Sequence, residues 1–311
     1  MDASLIKADA NREDGIEPKD WSADAHASRA TAEYLETLDD AAFGAATPVQ
    51  PRYLSPVDPA ARWSAADRGK AHFIYSTNYL VDLENAVIVD VEATAPIRQA
   101  ENKAARDMIE RTRDRLGLYP KRLVGDTGYG SAEMLGWLVE EQGIEPHIPV
   151  LDKSHRKDQT FSRSAFAYDH RRDAYQCPAG KWLHQYRRPF KTPRDTVDED
   201  EDGLRRYRAS KLDCEVCDLK YRCTPKEPSR KIMRSVHEGA RQMARDIAQT
   251  DAYVISMRAR KKVEMLFAHL KRILKLDRLR LRGPNGARDE FLLAATAQNL
   301  RKLAKLLPVT P

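Results

Sequence analysis

The sequence predicts an α/β fold in which an inserted module interrupts the core and a helical region closes it. Two β-rich runs flank the tripeptide "LEN", and a strand–helix–strand unit follows over residues 121–150. A polar and aromatic stretch over residues 151–250 then contains all four Cys, and the chain after it is strongly helical. Alternation of strands and helices is typical of α/β cores, and the break in that alternation indicates the insertion.

The β-rich runs predict a hairpin followed by a helix. "AHFIYSTNYLVD" and "NAVIVDVEAT" are rich in β-branched and aromatic residues and meet at "LEN". The next segment, "PIRQAENKAARDMIERTRDRLG", opens with Pro96, consists largely of helix formers and stops at Gly117.

The strand–helix–strand unit brings an acidic residue to the end of a strand. A short strand over residues 121–125 is followed by Asp126 and the turn "TGYG". Ser131 then caps a helix that stops at Gly143, and "IEPHIPV" is the second strand. Sites in such units lie at the carboxyl ends of the strands. Asp126 is therefore a candidate metal ligand or catalytic acid, with helix capping as the alternative.

Charge is spread unevenly along the chain. Residues 1–50 carry four Lys or Arg and eleven Asp or Glu, a net −7, which leaves +13 on the rest of a chain whose total is +6. A basic body favours an anionic partner such as nucleic acid. No apolar run reaches the roughly 20 residues that span a bilayer, which predicts a cytoplasmic protein with Cys that are reduced or metal-bound.

A basic helix near the C-terminus carries one acid, Glu264, at the border of its apolar stripe. Residues 257–283 hold ten Lys or Arg and two acids, Glu264 and Asp277. Arg260 and Lys271 share a helical face with Glu264. Glu264 is either the partner of Arg260 on a solvated face or a metal ligand beside a bound polyanion. Carboxylates from a strand end and a late helix can converge on a divalent metal, which phosphodiester cleavage requires.

Four segments carry a resemblance to a known family. "DASLIKADANR", "GDTGYGSAEML", "DCEVCDLKYRC" and "RKKVEMLFAHLKRILKLDRLRLRG" together resemble the DDE transposases of bacterial insertion sequences whose third acid lies in an Arg-x3-Glu-x6-Lys signature. The resemblance covers essentially the whole chain. It implies an RNase H-like core, a mixed sheet flanked by helices. It also implies metal-dependent DNA strand cleavage and strand transfer.

The resemblance implies the roles of individual residues. Asp2, Asp126 and Glu264 correspond to the catalytic acids that bind Mg²⁺ or Mn²⁺. Arg260 and Lys271 match the basic positions of the signature. The position that usually holds the Tyr of the signature is Met257 here, so this chain departs from the signature at that position. The basic residues expected to contact DNA are Arg260, Lys262, Lys271, Arg272 and Lys275.

The resemblance and the pattern together divide the chain and suggest its partners. The expected partners are double-stranded DNA and a second copy of the chain on that DNA, at the bacterial nucleoid, with no membrane. The expected segments are residues 1–50 (first strand, acidic linker and short helix), 51–150 (first part of the core), 151–250 (inserted module) and 251–311 (helical part carrying Glu264).

Asp2 lies at the very start of the sequence. In the resembling family the first strand begins further upstream and a helical region precedes it. We therefore expect Asp2 to be mobile or poorly paired, since chain termini fray. The chain is then expected to be a truncated, weakly active transposase. Asp58 or Asp82 would be the substitutes for the first acid.

The cysteines predict a candidate zinc site. Cys214-x2-Cys217-x5-Cys223 has the paired spacing of a zinc knuckle, and Cys177 lies well upstream. Four thiolates can bind one structural Zn²⁺, and partly buried reduced thiols are the alternative. Two further functions stay open: a non-catalytic DNA-binding fragment of a transposase, and a zinc-stabilised structural protein.

Overall fold

The structure, a computed structural model, describes residues 1–43, 51–64, 69–152, 158–185 and 203–306. The strands are β1 (Asp2–Lys7), β2 (Arg62–Ser64), β3 (His72–Asp82), β4 (Val87–Thr94), β5 (Arg122–Val124), β6 (Glu145–His147), β7 (Ala167–Asp169), β8 (Ala174–Gln176), β9 (Trp182–Gln185), β10 (Leu204–Ala209) and β11 (Lys231–Ser235). The α-helices are α1 (Arg29–Glu36), α2 (Arg98–Leu116), α3 (Ala132–Gly136), α4 (Lys211–Glu215), α5 (Lys220–Cys223), α6 (Glu238–Ile247), α7 (Asp251–Arg272) and α8 (Gly283–Leu306).

The first sheet is antiparallel and is built around β3. Strands β1, β2 and β4 all pair with β3. Residues 73–81 of β3 are buried without alternation, which is expected of a strand covered on both faces. The predicted hairpin is confirmed as β3 and β4. The predicted helix is confirmed as α2, which ends at Gly117 with a left-handed φ of 64°.

The strand–helix–strand unit is confirmed by a parallel pair, β5 and β6. Ser131 caps α3 by accepting a hydrogen bond from the Met134 amide at 3.2 Å. The helix continues as a π-helical turn over Trp137–Glu141, and Gly143 follows with a φ of 65°. The unit therefore delivers the loop after β5 to the edge of the first sheet.

Two apolar clusters cover the two faces of this core. One cluster joins the antiparallel sheet to α7 and α8, where the rings of Tyr79 and Phe267 stack with centroids 4.7 Å apart. The other joins α2, α3 and α6 to β5 and the loop after β6. No helix in the described ranges is both long and apolar enough to cross a membrane.

The expectation that Asp2 is mobile or poorly paired is wrong. All six residues of β1 pair with β3, from Asp2 opposite Tyr79 to Lys7 opposite Ile74. Met1 is 2% exposed, and its amino group donates a hydrogen bond to the Val124 carbonyl at 2.6 Å. This end does not fray because β3 holds it on one edge and the end of β5 holds its amino group. The expectation of weak activity therefore loses this physical reason.

The segment that contains the cysteines forms a second antiparallel sheet. Its strand order is β11-β10-β9-β8-β7. Its apolar core is small, and its buried members are Phe166, Tyr175, Leu183, Tyr207, Ala209 and Ile232. A core of this size leaves little hydrophobic stabilisation for the segment by itself.

Helix α6 lies inside the range predicted for the inserted module but packs on the core. Its Ala240 and Ala244 are buried in the same cluster as Met134 and Leu138. A network of ion pairs extends from its first turn, where the Glu238 carboxylate is paired by three arginines, Arg163, Arg241 and Arg245. The small side chains of Ala240 and Ala244 allow α6 to pack closely against the helix that carries Met134.

A buried carboxylate, Asp58, makes the stability of the fold depend on pH. Asp58 is fully buried, and the Tyr75 hydroxyl donates a hydrogen bond to its Oδ1 at 2.6 Å. Burial raises the pKa of Asp58 to about 6, although this hydrogen bond acts in the opposite direction. The folded chain therefore keeps a proton that the unfolded chain releases near pH 4.

We expect the unfolding free energy of Asp58→Asn to vary less with pH, between about pH 4 and about pH 6, than that of the wild type. The contribution of protonated Asp58 is full below about pH 4 and is lost as the pH rises through about 6, amounting to roughly 3 kcal/mol at most. Urea denaturation of wild type and variant across this range measures the difference in unfolding free energy. A difference that stays constant with pH would contradict the assignment.

Asp82→Asn is the matched control for this experiment. Burial acts to raise the pKa of Asp82, but hydrogen bonds from Asn85 and the Glu84 amide outweigh it and the pKa is lowered. Its contribution is therefore present above about pH 4 and lost as the pH falls, opposite in sign to that of Asp58.

Candidate active site

Asp126 follows β5 and caps the turn that comes after it. Its Oδ1 accepts a hydrogen bond from the Gly128 amide at 2.7 Å, and the side chain is exposed. A Cβ at Gly128 would lie 2.7 Å from that oxygen, and a Cβ at Gly130 would lie 2.0 Å from the Pro149 carbonyl oxygen. Gly128 and Gly130 therefore allow the tight turn that presents Asp126 at the strand end.

Asp126 and Asp2 face one pocket of about 260 Å³. Strand β1 contributes Asp2, the loop after β5 contributes Asp126, and helix α2 contributes Glu101. The full lining is Asp2, Ala3, Leu5, Pro96, Glu101, Asp126, Gly128 and Tyr129.

The carboxylates affect each other across this pocket. Burial raises the pKa of Asp2, and the charge of Asp126 raises it further, while the Ala3 amide and Arg260 act to lower it. Burial also raises the pKa of Glu101, with added contributions from Asp126 and Asp2. Asp2 and Glu101 are therefore both harder to ionise beside Asp126, and a bound cation would relieve the repulsion among the three carboxylates.

Arg260 connects the first and third predicted acids. Its Nη1 donates to Asp2 Oδ2 at 2.7 Å and its Nη2 to Glu264 Oε1 at 2.9 Å. Arg260 is 21% exposed and Glu264 is 54% exposed. The ion-pair alternative for Glu264 is therefore present in the structure. The same guanidinium also holds Glu264 near Asp2, although Arg260 and Asp2 are 258 residues apart in the sequence.

The donor chemistry of this site fits a hard divalent cation, but its ligands do not yet surround one. Carboxylate oxygens are the ligands that Mg²⁺ prefers. Among the described residues, no group of three His, Cys, Asp or Glu side chains is arranged to hold a metal ion. Asp2 and Asp126 already share the pocket, whereas Glu264 is held by Arg260 beside it. Because Glu264 is exposed, its side chain can turn without unpacking the core.

A basic pocket adjoins the acidic one. Lys271 lines it together with Lys7, Lys70 and His72, and Leu5 lines both pockets. Burial lowers the pKa of His72, and Lys7 is the largest of several nearby positive charges that lower it further. A polyanion in the basic pocket would therefore pass next to the carboxylates.

The other basic residues predicted to contact DNA differ in their surroundings. Lys262 donates from Nζ to the carbonyls of Leu83 at 2.6 Å and Glu84 at 3.0 Å, so it holds the turn between β3 and β4. Arg272 is exposed at the end of α7, and Lys275 is exposed after it with a φ of 57°. Lys262 therefore has a structural role in addition to any contact with DNA.

Neither substitute for the first acid lines the acidic pocket. Asp58 is buried against Tyr75, as described above. Asp82 accepts hydrogen bonds from the amides of Glu84 at 3.0 Å and Asn85 at 3.1 Å, which is a turn-capping role.

Sequence reasoning missed two residues of the acidic pocket. Glu101 lies in the first turn of α2, where an acid is commonly explained by the helix dipole. Tyr129 lies inside the segment "GDTGYG", which by sequence indicates only a turn. The sequence shows that Glu101 lies near the start of a helix and that Tyr129 lies shortly after Asp126. Both positions are also explained by ordinary helix and turn formation, so neither indicates a site.

The four cysteines meet around one small cavity. Cys177, Cys214, Cys217 and Cys223 all line a cavity of about 30 Å³, which is close to the volume of one water molecule. Burial raises the pKa of Cys223, and the other three thiols raise it further against the opposing charge of Arg230. The two distant parts of the predicted zinc motif thus line the same cavity.

Comparison with known proteins identifies the family. A search of the curated proteins finds no match, and a search of the solved structures finds none. The family model described as transposase DDE domain matches residues 44–300. That range includes Asp126, Glu264 and all four cysteines, and Asp2 precedes it. Membership of this family implies an enzyme that cuts DNA, and such enzymes generally use divalent metal ions. Because the matched residues are most of the protein, the chain belongs to the family of transposase DDE domains.

Proposed function

We propose that this chain cleaves DNA strands and transfers them in a metal-dependent reaction, as the transposase of an insertion sequence. The observations that support the proposal are the pocket shared by Asp2 of β1 and Asp126 of the loop after β5, and the bonds from Arg260 to both Asp2 and Glu264 of α7. We further propose that this core is RNase H-like.

Each residue has a role in this proposal. Asp2 and Asp126 would hold the cation, and Glu264 would join them once it leaves Arg260. Bound divalent ions would activate the attacking water and stabilise the leaving oxygen of the phosphodiester. Arg260, released from the carboxylates, and Lys271 would bind the phosphates on either side of the reacting bond.

The direct test is strand cleavage of DNA that carries the ends of the element. We expect nicking that requires Mg²⁺ or Mn²⁺ and that Asp126→Asn abolishes. Cleavage that persists in Asp126→Asn, or that proceeds in the presence of a chelator, would contradict the proposal. Sedimentation of the protein on the same DNA tests the expected homodimer.

The basic pocket predicts a specific effect of Lys271 on DNA binding. We expect Lys271→Ala to weaken binding and to reduce the salt slope of log K by about one phosphate contact, roughly 0.9. Anisotropy titrations at several salt concentrations measure the slope. Lys103→Ala is the matched control, because Lys103 is an exposed lysine paired with Asp107 and is not among the residues expected to contact DNA, so its loss should leave the slope unchanged. An unchanged slope for Lys271→Ala would assign that residue to the protein's own structure.

A second proposal concerns the cysteines, which we infer bind a structural Zn²⁺. The Gly180 amide donates to the Cys177 carbonyl at 2.8 Å, and the Cys177 amide donates to the Lys181 carbonyl at 2.8 Å, which forms a tight turn at Cys177. Among the described residues, no three metal-binding side chains are already arranged to hold a metal ion, so the four thiols would close around Zn²⁺ as they lose their protons. The bound ion would add stability to a sheet whose own core is small.

A non-catalytic DNA-binding role is the second candidate function. It is favoured by the ion pairs of Arg260, which engage two of the three acids. Salt-dependent DNA binding without metal-dependent nicking would support it. Cleavage lost in Asp126→Asn would exclude it.

A further inference from the structure

The acidic pocket has two residues whose chemistry the Asp-Asp-Glu assignment does not use. Glu101 reaches it from α2 and Tyr129 from the turn after β5, and both line it with Asp2 and Asp126. The Ser76 hydroxyl donates to Glu101 Oε1 at 3.0 Å. Because Ser76 lies on the buried central strand, this bond fixes one oxygen of the carboxylate relative to β3.

Tyr129 has a buried hydroxyl with no partner. Its side chain is 2% exposed, and among the described residues its hydroxyl makes no hydrogen bond. Buried polar groups are nearly always paired. The charges of Glu101, Asp2 and Asp126 all act on this hydroxyl and, after burial itself, raise its pKa. Tyr129 thus lines the pocket beside three carboxylates, and its hydroxyl is bonded to none of them in the described part of the chain.

We propose that Glu101 and Tyr129 are part of the cation-binding pocket. Glu101 supplies a further carboxylate to a hydrated divalent cation, and the Tyr129 hydroxyl forms a hydrogen bond with water that accompanies that cation. The inference rests on the proposed function of the same site.

The chemistry of the ligand follows from the lining. Three carboxylates around one pocket attract positive charge, and Mg²⁺ keeps several of its water molecules when it binds to proteins. A phenolic hydroxyl can donate to such a water or accept from it. A pocket of about 260 Å³ has room for a cation together with water.

Binding of Mn²⁺ to the full chain without DNA tests the inference apart from activity. Electron paramagnetic resonance of free Mn²⁺ gives the affinity directly. We expect Glu101→Gln and Tyr129→Phe each to weaken binding by roughly 10-fold, the effect typical of groups that support a metal site. Glu110→Gln on the same helix and Tyr119→Phe on the surface are the matched controls and should bind as wild type.

The outcomes separate this inference from the proposed function. If Asp126→Asn loses both Mn²⁺ binding and cleavage while Glu101→Gln and Tyr129→Phe bind Mn²⁺ as wild type does, the inference is overturned and the proposed function stands. If Asp126→Asn and Glu264→Gln both cleave normally, the proposed function fails. Wild-type protein that binds Mn²⁺ no better than Asp126→Asn also overturns the inference.

Thermal denaturation distinguishes a role of Tyr129 in cation binding from a role in packing alone. If Tyr129 only packs, then Tyr129→Phe removes an unpartnered hydroxyl, so the variant should be at least as stable and its Mn²⁺ affinity unchanged. A loss of affinity in a variant that is as stable as wild type supports the proposal.

Discussion

Replacing Glu264 with Gln is expected to abolish metal-dependent strand cleavage and to leave DNA affinity equal or higher. The substitution removes one metal-binding charge, adds no negative charge near the phosphates and preserves the shape of the side chain. Because Glu264 is 54% exposed, the fold should be unaffected. We expect the cleavage rate to fall by more than roughly 100-fold, measured by nicking of labelled end DNA, with affinity measured by anisotropy.

The control for this variant is Asp289→Asn, which removes an exposed acid from neighbouring helix α8. It should cleave at the wild-type rate. If Glu264 is only the partner of Arg260, Glu264→Gln would instead retain cleavage and lose a few tenths of a kcal/mol of stability, the usual size of such a helical pair. Cleavage near the wild-type rate would therefore remove Glu264 from the catalytic set.

The double variant Cys214→Ser, Cys217→Ser is expected to lose about one Zn²⁺ per chain and to melt the second sheet. Two of four thiolate ligands are removed, and serine hydroxyls do not replace them for zinc. The sheet then depends on a core of six buried residues. Elemental analysis measures the zinc, and hydrogen exchange over residues 158–185 and 203–235 measures the local unfolding.

The control is Ser210→Ala, an exposed position beside the same short helix, which should keep both zinc and protection. Removal of zinc from the wild-type chain with a strong chelator should reproduce the loss of protection. Wild-type protein that is metal-free and fully protected would show that the thiols are reduced and carry no metal.

The hairpin, helix α2 and the strand–helix–strand unit could be predicted because their signals are local. The β-branched runs of β3 and β4 meet at a turn, Pro96 and Gly117 bracket α2, and Ser131 caps α3. Each preference depends on residues a few positions apart, so the sequence around it is sufficient. The position of Asp126 at the carboxyl end of β5 follows from the same strand–helix–strand unit.

Local reasoning failed at Asp2 and at α6. Position in the chain suggested a frayed end, but pairing with β3 and the bond from Met1 to Val124 depend on segments 70 or more residues away. The composition of α6 resembles that of its surroundings in the polar segment, yet its small residues fit against α3. In both cases tertiary packing outweighed the local signal.

By itself the sequence determined the α/β class, the order of the elements, the acidic turn after β5 and the resemblance to DDE transposases. The resemblance grouped Asp2, Asp126 and Glu264, whereas only the tertiary structure showed that Glu101 and Tyr129 line a pocket with Asp2 and Asp126 and that Arg260 bonds both Asp2 and Glu264. The physical reason is that backbone preferences act between neighbours, whereas a pocket forms from side chains whose separation in space is set by packing of the whole core.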